Sequence, residues 1–359
     1  MVEFLERIAD SVYLVRNPIP IPALKYVNTY IVGDRDCFTV IDPGLGEKSA
    51  KQIRAALKET GFREERIEAI ILTHFHVDHS TAAGFLAEGK TVYMGEKDLE
   101  LIESIGAGIN LVDEIELLFY YSGMPEKEVM KIREKHPAFS RTRLFERLLE
   151  KHDFIRVGDG FSIDLCGASL KVIEVPGHTP GHIALILEGE RLAFVGDHIL
   201  SNITPNIPLL FWNSNLLADY LNSLERVAKL NVGAVLPGHR SIIVDYKRRV
   251  EELFEHHAAR LAEILQILVR KEEATAYAIA SHMKWDVPYK SWADFPLSQK
   301  YFAVAEALSH LRYLLDKGLV EVDLKRDAFV FRLAERSLEE LKHRNYLERL
   351  LILNREKEG

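Results

Sequence analysis

The ten residues ILTHFHVDHS, Ile71 to Ser80, set three histidines and one aspartate within six positions directly after an apolar run. The preceding AIILT reads as a strand, and a helix is expected from near Ser80 to Glu88. His74, His76, Asp78 and His79 then fall on a strand-to-helix turn, which aims successive side chains into the space beyond the sheet end, where α/β folds place ligands. Neutral imidazole and carboxylate are ligands for zinc, iron and manganese, and a buried cluster of them with no cation is costly. Four ligands on one turn strain a single coordination sphere. The H-x-H-x-D-H spacing divides more naturally between two adjacent ions, with further ligands supplied from elsewhere.

Those further ligands stand at the ends of other apolar strands. His178 closes KVIEVPGH, Asp197 closes RLAFVGD, and His239 closes VGAVLPGH. From Ser11 to about Ile242 the chain alternates short β-rich runs with Gly and Pro punctuation: SVYLV, NTYIVG, CFTVID, AIILTH, TVYMG, SIDLC, KVIEV, IALILEG, LAFVGD and GAVLPG. Helices are expected over Lys48 to Glu59 and Leu216 to Leu230, which gives stacked sheets with helices outside. A helical block from about Gly106 to His152 interrupts the rhythm. From Lys247 the pattern becomes a long helix, a short one, a third over SQKYFAVAEALSHLRYLLDKG, and two short strands, the layout of a winged helix. A last charged helix is expected from Ser337 to Glu356.

Composition narrows the partners. Of 359 residues 47% are apolar and 28% charged, a folded soluble mixture, and the net charge of −8 opposes a phosphate backbone. The N-terminus lacks a secretory pattern, and no run reaches the roughly 18 apolar residues of a membrane span. Cys37 and Cys166 lie in strand-like runs and read as buried free thiols in a reducing, cytoplasmic compartment, with a disulfide between them as the alternative that nothing in the sequence supports.

With Asp42 in VIDPG, the T-H-x-H-x-D-H run from Thr73, P-G-H-T-P-G-H from Pro176, G-D at Asp197 and P-G-H from Pro237, the chain strongly resembles the metallo-β-lactamase superfamily over about residues 10 to 245. The resemblance implies an α+β protein with an αβ/βα sandwich and two divalent ions, zinc first and iron or manganese as alternatives. It implies that His74, His76 and His178 hold one ion, that Asp78, His79 and His239 hold the other, and that Asp197 bridges them. Asp78 and Asp197 thereby carry the catalytic weight, and a water between ions roughly 3.5–4 Å apart is the expected nucleophile. Asp42 is expected to orient a ligating histidine. Thr73 and Thr179 read as hydrogen-bonding supports, and His182 and His198 as neighbours of the ligands that do not ligate.

Departures from neighbouring families sharpen the expectation. True β-lactamases carry cysteine or serine where Asp197 stands, and flavodiiron oxygen reductases carry glutamate in place of His76. The pattern is similar to hydroxyacylglutathione hydrolases of the glyoxalase II type, lactonases, tRNA-processing nucleases and winged-helix members, among them thioesterase-like enzymes and a single-strand RNA endonuclease. The expected activity is hydrolysis of an ester or thioester of a small acyl compound. The alternative is a phosphodiesterase acting on single-stranded RNA, and a mononuclear iron persulfide dioxygenase is a third class.

The remaining expectations concern organisation and partners. The sandwich is expected over residues 1–246 with the helical insertion at about 106–152, the winged-helix part over 247–335, and a terminal helix over 336–359. Leu118 to Tyr121 serve either as core packing or as a lid; Tyr120, Tyr121, Asn202 and Arg240 are the candidate substrate contacts, with Asn206 nearby. From Lys247 to Glu335 there are 14 Lys/Arg against 14 Asp/Glu, and the third helix offers only Lys300, Arg312 and Lys317. That balance favours a structural or dimer-forming role over nucleic-acid contact. Arg240 and Lys247 to Arg249 form the strongest case for an RNA edge, and His256 and His257 read as a solvent or interface feature.

Overall fold

The computed structural model describes residues 5–21, 24–107, 111–135 and 142–335. Its apolar runs form two sheets. The first follows chain order through β1 (Glu6–Arg7), β2 (Val12–Pro18), β3 (Tyr26–Gly33), β4 (Phe38–Ile41), β5 (Ile67–Leu72), β6 (Thr91–Gly95) and β7 (Asp153–Val157). It is antiparallel from β1 to β4 and parallel from β4 to β7. The second contains β8 (Ser162–Leu165), β9 (Ala168–Glu174), β10 (Ile183–Leu187), β11 (Leu192–Gly196) and β12 (Ala234–Pro237), with only β11 and β12 parallel.

Alternation along the strands makes the layers. Tyr30, Val32, Ile41 and Ile71 share a core with Val172, Leu185 and Phe194 of the second sheet. Their neighbours Ile31, Val40, Ile70 and Leu72 point the other way and pack against Ile53 and Leu57 of α1 (Gly46–Thr60). Leu99 and Ile102 of α3 (Glu96–Gly106) and Leu148 of α6 (Thr142–Lys151) complete that second core. α1 stops where Gly61 turns left-handed at φ 82° and caps the carbonyls of Leu57 and Lys58. The α+β sandwich read from the sequence is therefore the architecture found.

Three local expectations are corrected. In place of the helix expected from near Ser80 to Glu88 there is a single turn that ends at Ser80, α2 (Val77–Ser80), followed by a 3-10 turn at Ala83–Phe85. The Ser80 hydroxyl donates to the carbonyls of Phe75 and His76, tying the turn back on the loop before it. β7 was not expected, because DFIRV mixes charged and apolar residues on an edge strand. Cys37 and Cys166 are bonded to each other, with Cα atoms 5.0 Å apart, and link the start of β4 to the turn between β8 and β9. Their pairing removes the free-thiol argument for a reducing compartment. Among the described residues no helix is long and apolar enough to cross a membrane.

Contacts divide the chain into two compact units that do not follow simple sequence blocks. One comprises the described residues within 1–111, 140–205 and 219–250; the other comprises those within 112–139, 206–218 and 251–359. Most of α4 (Leu111–Tyr121) and all of α5 (Glu126–Lys135) thus group with the C-terminal residues, while α3 and α6 stay with the sandwich. The boundaries also cut α7 (Leu216–Ala228) and α8 (Tyr246–Lys271).

The second unit adds β13 (Glu273–Thr275), α9 (Ala276–Ala280), α10 (Leu297–Asp316), β14 (Val320–Lys325) and β15 (Ala328–Leu333), with sheet order β13-β15-β14. Phe119 is buried and stacks on Tyr301, and Tyr121 stacks on Phe329, each at 4.9 Å between ring centroids. Phe119 is core packing of this unit, and the half-buried Tyr121 packs on its edge. Lys300, expected on the exposed face of the third helix, is buried and paired with Glu128 at 2.7 Å. His257 is likewise buried, its Nδ1 3.1 Å from Nε2 of His310, which corrects its reading as a solvent feature. The charged helix expected from Ser337 lies outside the described residues.

Candidate metal centre

Every strand that was expected to deliver a ligand ends at the same rim. His74 follows β5, His178 follows β9, Asp197 follows β11 and His239 follows β12. The loops are braced to one another by main chain: Ile183 N donates to Thr73 O at 2.9 Å, and Gly238 N to Gly196 O at 2.7 Å. At Gly238 a Cβ would collide with the His79 ring and an Asp197 carboxylate oxygen, so the P-G-H turn needs glycine to bring its histidine this close.

Two three-residue clusters result, His74 with His76 and His178, and Asp78 with His79 and His239. Within each, the possible ligand atoms lie within 4.8 Å of one another. Asp197 faces both: one oxygen is 3.7 Å from His178 Nε2 and 3.4 Å from His239 Nε2, and the other is 3.6 Å from His79 Nε2.

Hydrogen bonds on the far side of the rings set the tautomers. Asp42, with φ at 50°, accepts from the Thr73 main-chain N at 2.8 Å and from the Thr73 hydroxyl at 2.6 Å. Its carboxylate also accepts from His79 Nδ1 at 3.0 Å. Because the Thr73 proton is committed to Asp42, its oxygen is left to accept from His74 Nδ1 at 3.1 Å. His239 Nδ1 donates to the carbonyl of Tyr26 at 2.6 Å. Each ring is thereby left with its Nε2 aimed inward, the arrangement that outer hydrogen bonds impose on ligating histidines. Asp42 itself forms a third cluster with His74 and His79, but it meets the Nδ1 edge of His79, away from the other two clusters.

This arrangement fits divalent ions. The Nε2 atoms of His79 and His239 stand 3.1 Å apart, and two lone pairs at that distance repel unless a proton or cation lies between them. Nδ1 of His76 lies 3.1 Å from His74 Nε2 and 2.9 Å from His178 Nε2. Burial pushes the His74 imidazole well below its usual range and that of His76 down to about 3, which keeps both in the neutral form that binds metal. Burial alone would raise the carboxyls of Asp78 and Asp197, yet the facing imidazoles outweigh it and hold both below the carboxylate range. For His79 and His239 burial opposes charge, and Asp197 overcomes it and raises both.

The other expected residues separate clearly. The His182 ring stacks on His74 at 4.8 Å, and its Nε2 accepts from the main-chain N of Asp197, so that nitrogen is turned away from the clusters. His198 is buried and belongs to none of the clusters, with its carbonyl accepting from Tyr220 Oη at 3.0 Å. Asn202 is exposed, and the Arg240 carbonyl accepts from Asn28 Nδ2 at 3.0 Å. Tyr120 and Tyr121 belong to the second unit. Asp98 escaped the sequence reading: it is buried and accepts from Phe75 N, the Thr179 hydroxyl and Gly181 N. In GEKDLELI it looks like one more solvated acid of a helix start, and only the glycine at 181 hints at a close approach.

A two-sheet sandwich whose loops gather imidazoles and carboxylates in this way defines a metal-dependent hydrolase. The chain belongs to the metallo-β-lactamase superfamily, whose family model matches residues 23–239. A crystal structure of a metallo-beta-lactamase family protein from Thermus thermophilus is similar with a TM-score of 0.74 and 30% identity, covering 91% of this chain and 100% of that one. The "Beta-lactamase-like protein 2 homolog" of Caenorhabditis elegans is 29% identical over 89% of each chain. The "Atrochrysone carboxyl ACP thioesterase" of Aspergillus fumigatus is 23% identical over 70% of this chain and 63% of its own length.

Proposed function

We propose that the chain is a dinuclear metal-dependent hydrolase of carbonyl esters or thioesters, with zinc as its metal. The observation that carries this reading is the Asp197 carboxylate, which faces the Nε2 atoms of both His178 and His239 and so can be shared by the two clusters. When bound, a pair of divalent ions supplies an activated water and a Lewis acid for the substrate carbonyl. The protein's own part is to hold that chemistry in place. Asp42 and Tyr26 keep the Nδ1 protons of His79 and His239, Thr73 keeps that of His74, and Asp197 stays ionised between the rings.

An acyl substrate is favoured over RNA by charge. The C-terminal stretch from Lys247 to Glu335 is balanced in sign, and two of its third-helix cations are spent in ion pairs, Lys300 with Glu128 and Arg312 with Asp316. A thiolate departs without a strong acid, so this ligand set suits thioesters, the activity in the name of the Aspergillus relative. We read α8 to α10 with the β13-β15-β14 sheet as a winged helix with a structural or dimer-forming role.

The test is an activity panel on purified protein with acyl-thioesters, lactones, a bis-aryl phosphodiester and single-stranded RNA, beside His76→Ala. Hydrolysis of acyl compounds that vanishes in the variant is expected. Cleavage of RNA with every acyl compound inert would reverse the substrate assignment, and a single iron per chain would point to the persulfide dioxygenase class.

A further inference from the structure

We propose that Asp98 is a positioning residue that locks the two loops carrying His74, His76 and His178, so that its loss weakens one ion site and spares the other. The proposal rests on the assignment of those three histidines to a single ion.

Asp98 lies in the first turn of α3, away from any strand end, and its side chain is fully buried. One carboxylate oxygen accepts from Gly181 N at 2.6 Å; the other accepts from Phe75 N at 2.9 Å and from the Thr179 hydroxyl at 2.6 Å. Phe75 is the residue between His74 and His76, and Thr179 is the residue after His178. A single carboxylate therefore bonds both loops, which are about 100 residues apart in sequence, and every donor it meets is neutral. Burying a carboxylate among neutral donors costs more than burying an amide or an apolar group, so its contribution is geometric more than energetic.

Packing brings the loop close to α3. A Cβ on Gly181 would collide with the Asp98 main-chain N, and one on Gly95 would collide with the Gly181 carbonyl. The 176–182 loop therefore lies directly on the start of α3. The other cluster is held by different groups: His79 by Asp42, and His239 by the carbonyl of Tyr26. Nothing in Asp98's hydrogen bonds reaches Asp78, His79 or His239.

The experiment measures zinc bound by the full chain at equilibrium across a range of free zinc, for wild type, Asp98→Asn, Asp98→Ala and Thr179→Val, with thermal unfolding of each metal-free protein. The expected result is one ion bound as in wild type and the other weakened about 10- to 100-fold in the Asp98 variants, the range seen when outer partners of ligating histidines are removed. Thr179→Val, which deletes one of three donors, is expected to weaken the same ion by less while unfolding at the wild-type temperature. In a His178→Ala background Asp98→Asn should cost less than it does in wild type, since both changes act on one site. Unchanged affinity for both ions in every variant, or equal weakening of both in a variant that melts like wild type, overturns the role of Asp98 alone. A wild-type chain that binds no zinc overturns the ligand assignment and this proposal with it. Should Asp98→Ala fail to fold, Asp98→Asn and Thr179→Val carry the same comparison.

Discussion

The Nδ1 of His79 lies 3.0 Å from a carboxylate oxygen of Asp42, and that contact fixes which face of the ring points inward. The carboxylate can only accept, so Nδ1 carries a proton and Nε2 is the nitrogen turned toward the cluster. Asp42→Asn keeps the shape but offers an amide whose NH2 can face the ring. Metal affinity is expected to fall about 10- to 100-fold, measured by competition with a chromophoric chelator. Wild-type affinity in this variant would remove Asp42 from the orienting role.

The His257 and His310 pair predicts acid sensitivity in the second unit. The His310 Nδ1 donates to the Glu306 carbonyl at 2.7 Å, so its Nε2 accepts from His257, and a further proton would set two N–H groups head to head. Burial is the main cause that brings His310 down to about 3 and His257 well below its ordinary range. Unfolded, both titrate near 6.5. Between about 3 and 6.5 the unfolded chain binds more protons, so stability falls as pH drops below 6.5, by up to about 1.4 kcal/mol per pH unit for each ring. Glu306, whose carboxyl is raised mainly by burial, acts in the opposite sense above 4.5. The comparison is therefore wild type against His310→Gln: urea midpoints at pH 7 and 5 should differ less in the variant.

How much of this was legible beforehand depended on the range of the interaction. The ligand set could be read because each residue follows its own apolar strand, and chemistry marks histidine and aspartate in such places. The strands could be read because Tyr30, Val32, Ile41 and Ile71 alternate with residues that also needed burial. Asp98 could not, since its three donors come from loops far away in sequence. Nor could the fate of the helical block: periodicity shows that Phe119 faces a core, but not that the core contains Tyr301. Lys300 looked like a surface cation because its partner Glu128 lies 172 positions earlier.

The bond between Cys37 and Cys166 closes a separation of 129 residues between the two sheets. A crosslink over so long a loop stabilises by about 2–4 kcal/mol in typical cases. Calorimetry with and without a reductant should show a lower melting temperature for reduced wild type and no response from Cys37→Ser/Cys166→Ser. Two thiols free to react in the unreduced, denatured protein would contradict the pairing.

Substitution at Tyr121 separates packing from substrate contact. Its ring stacks on Phe329, with Trp212 on the same ring at 4.3 Å, so Tyr121→Ala should lower stability, though by less than the roughly 3–5 kcal/mol of a fully buried aromatic truncation, since all three rings are half-buried. KM for an acyl substrate should stay near wild type in the folded variant. A raised KM with unchanged stability would restore the lid reading.

The most direct measurement is the metal content of extensively dialysed protein, by elemental analysis, for wild type and Asp197→Ala. A carboxylate shared between two clusters predicts two divalent ions per wild-type chain, and in the variant one ion and nearly no turnover. An Asp197→Ala chain that keeps both ions and full activity would contradict the account at its centre.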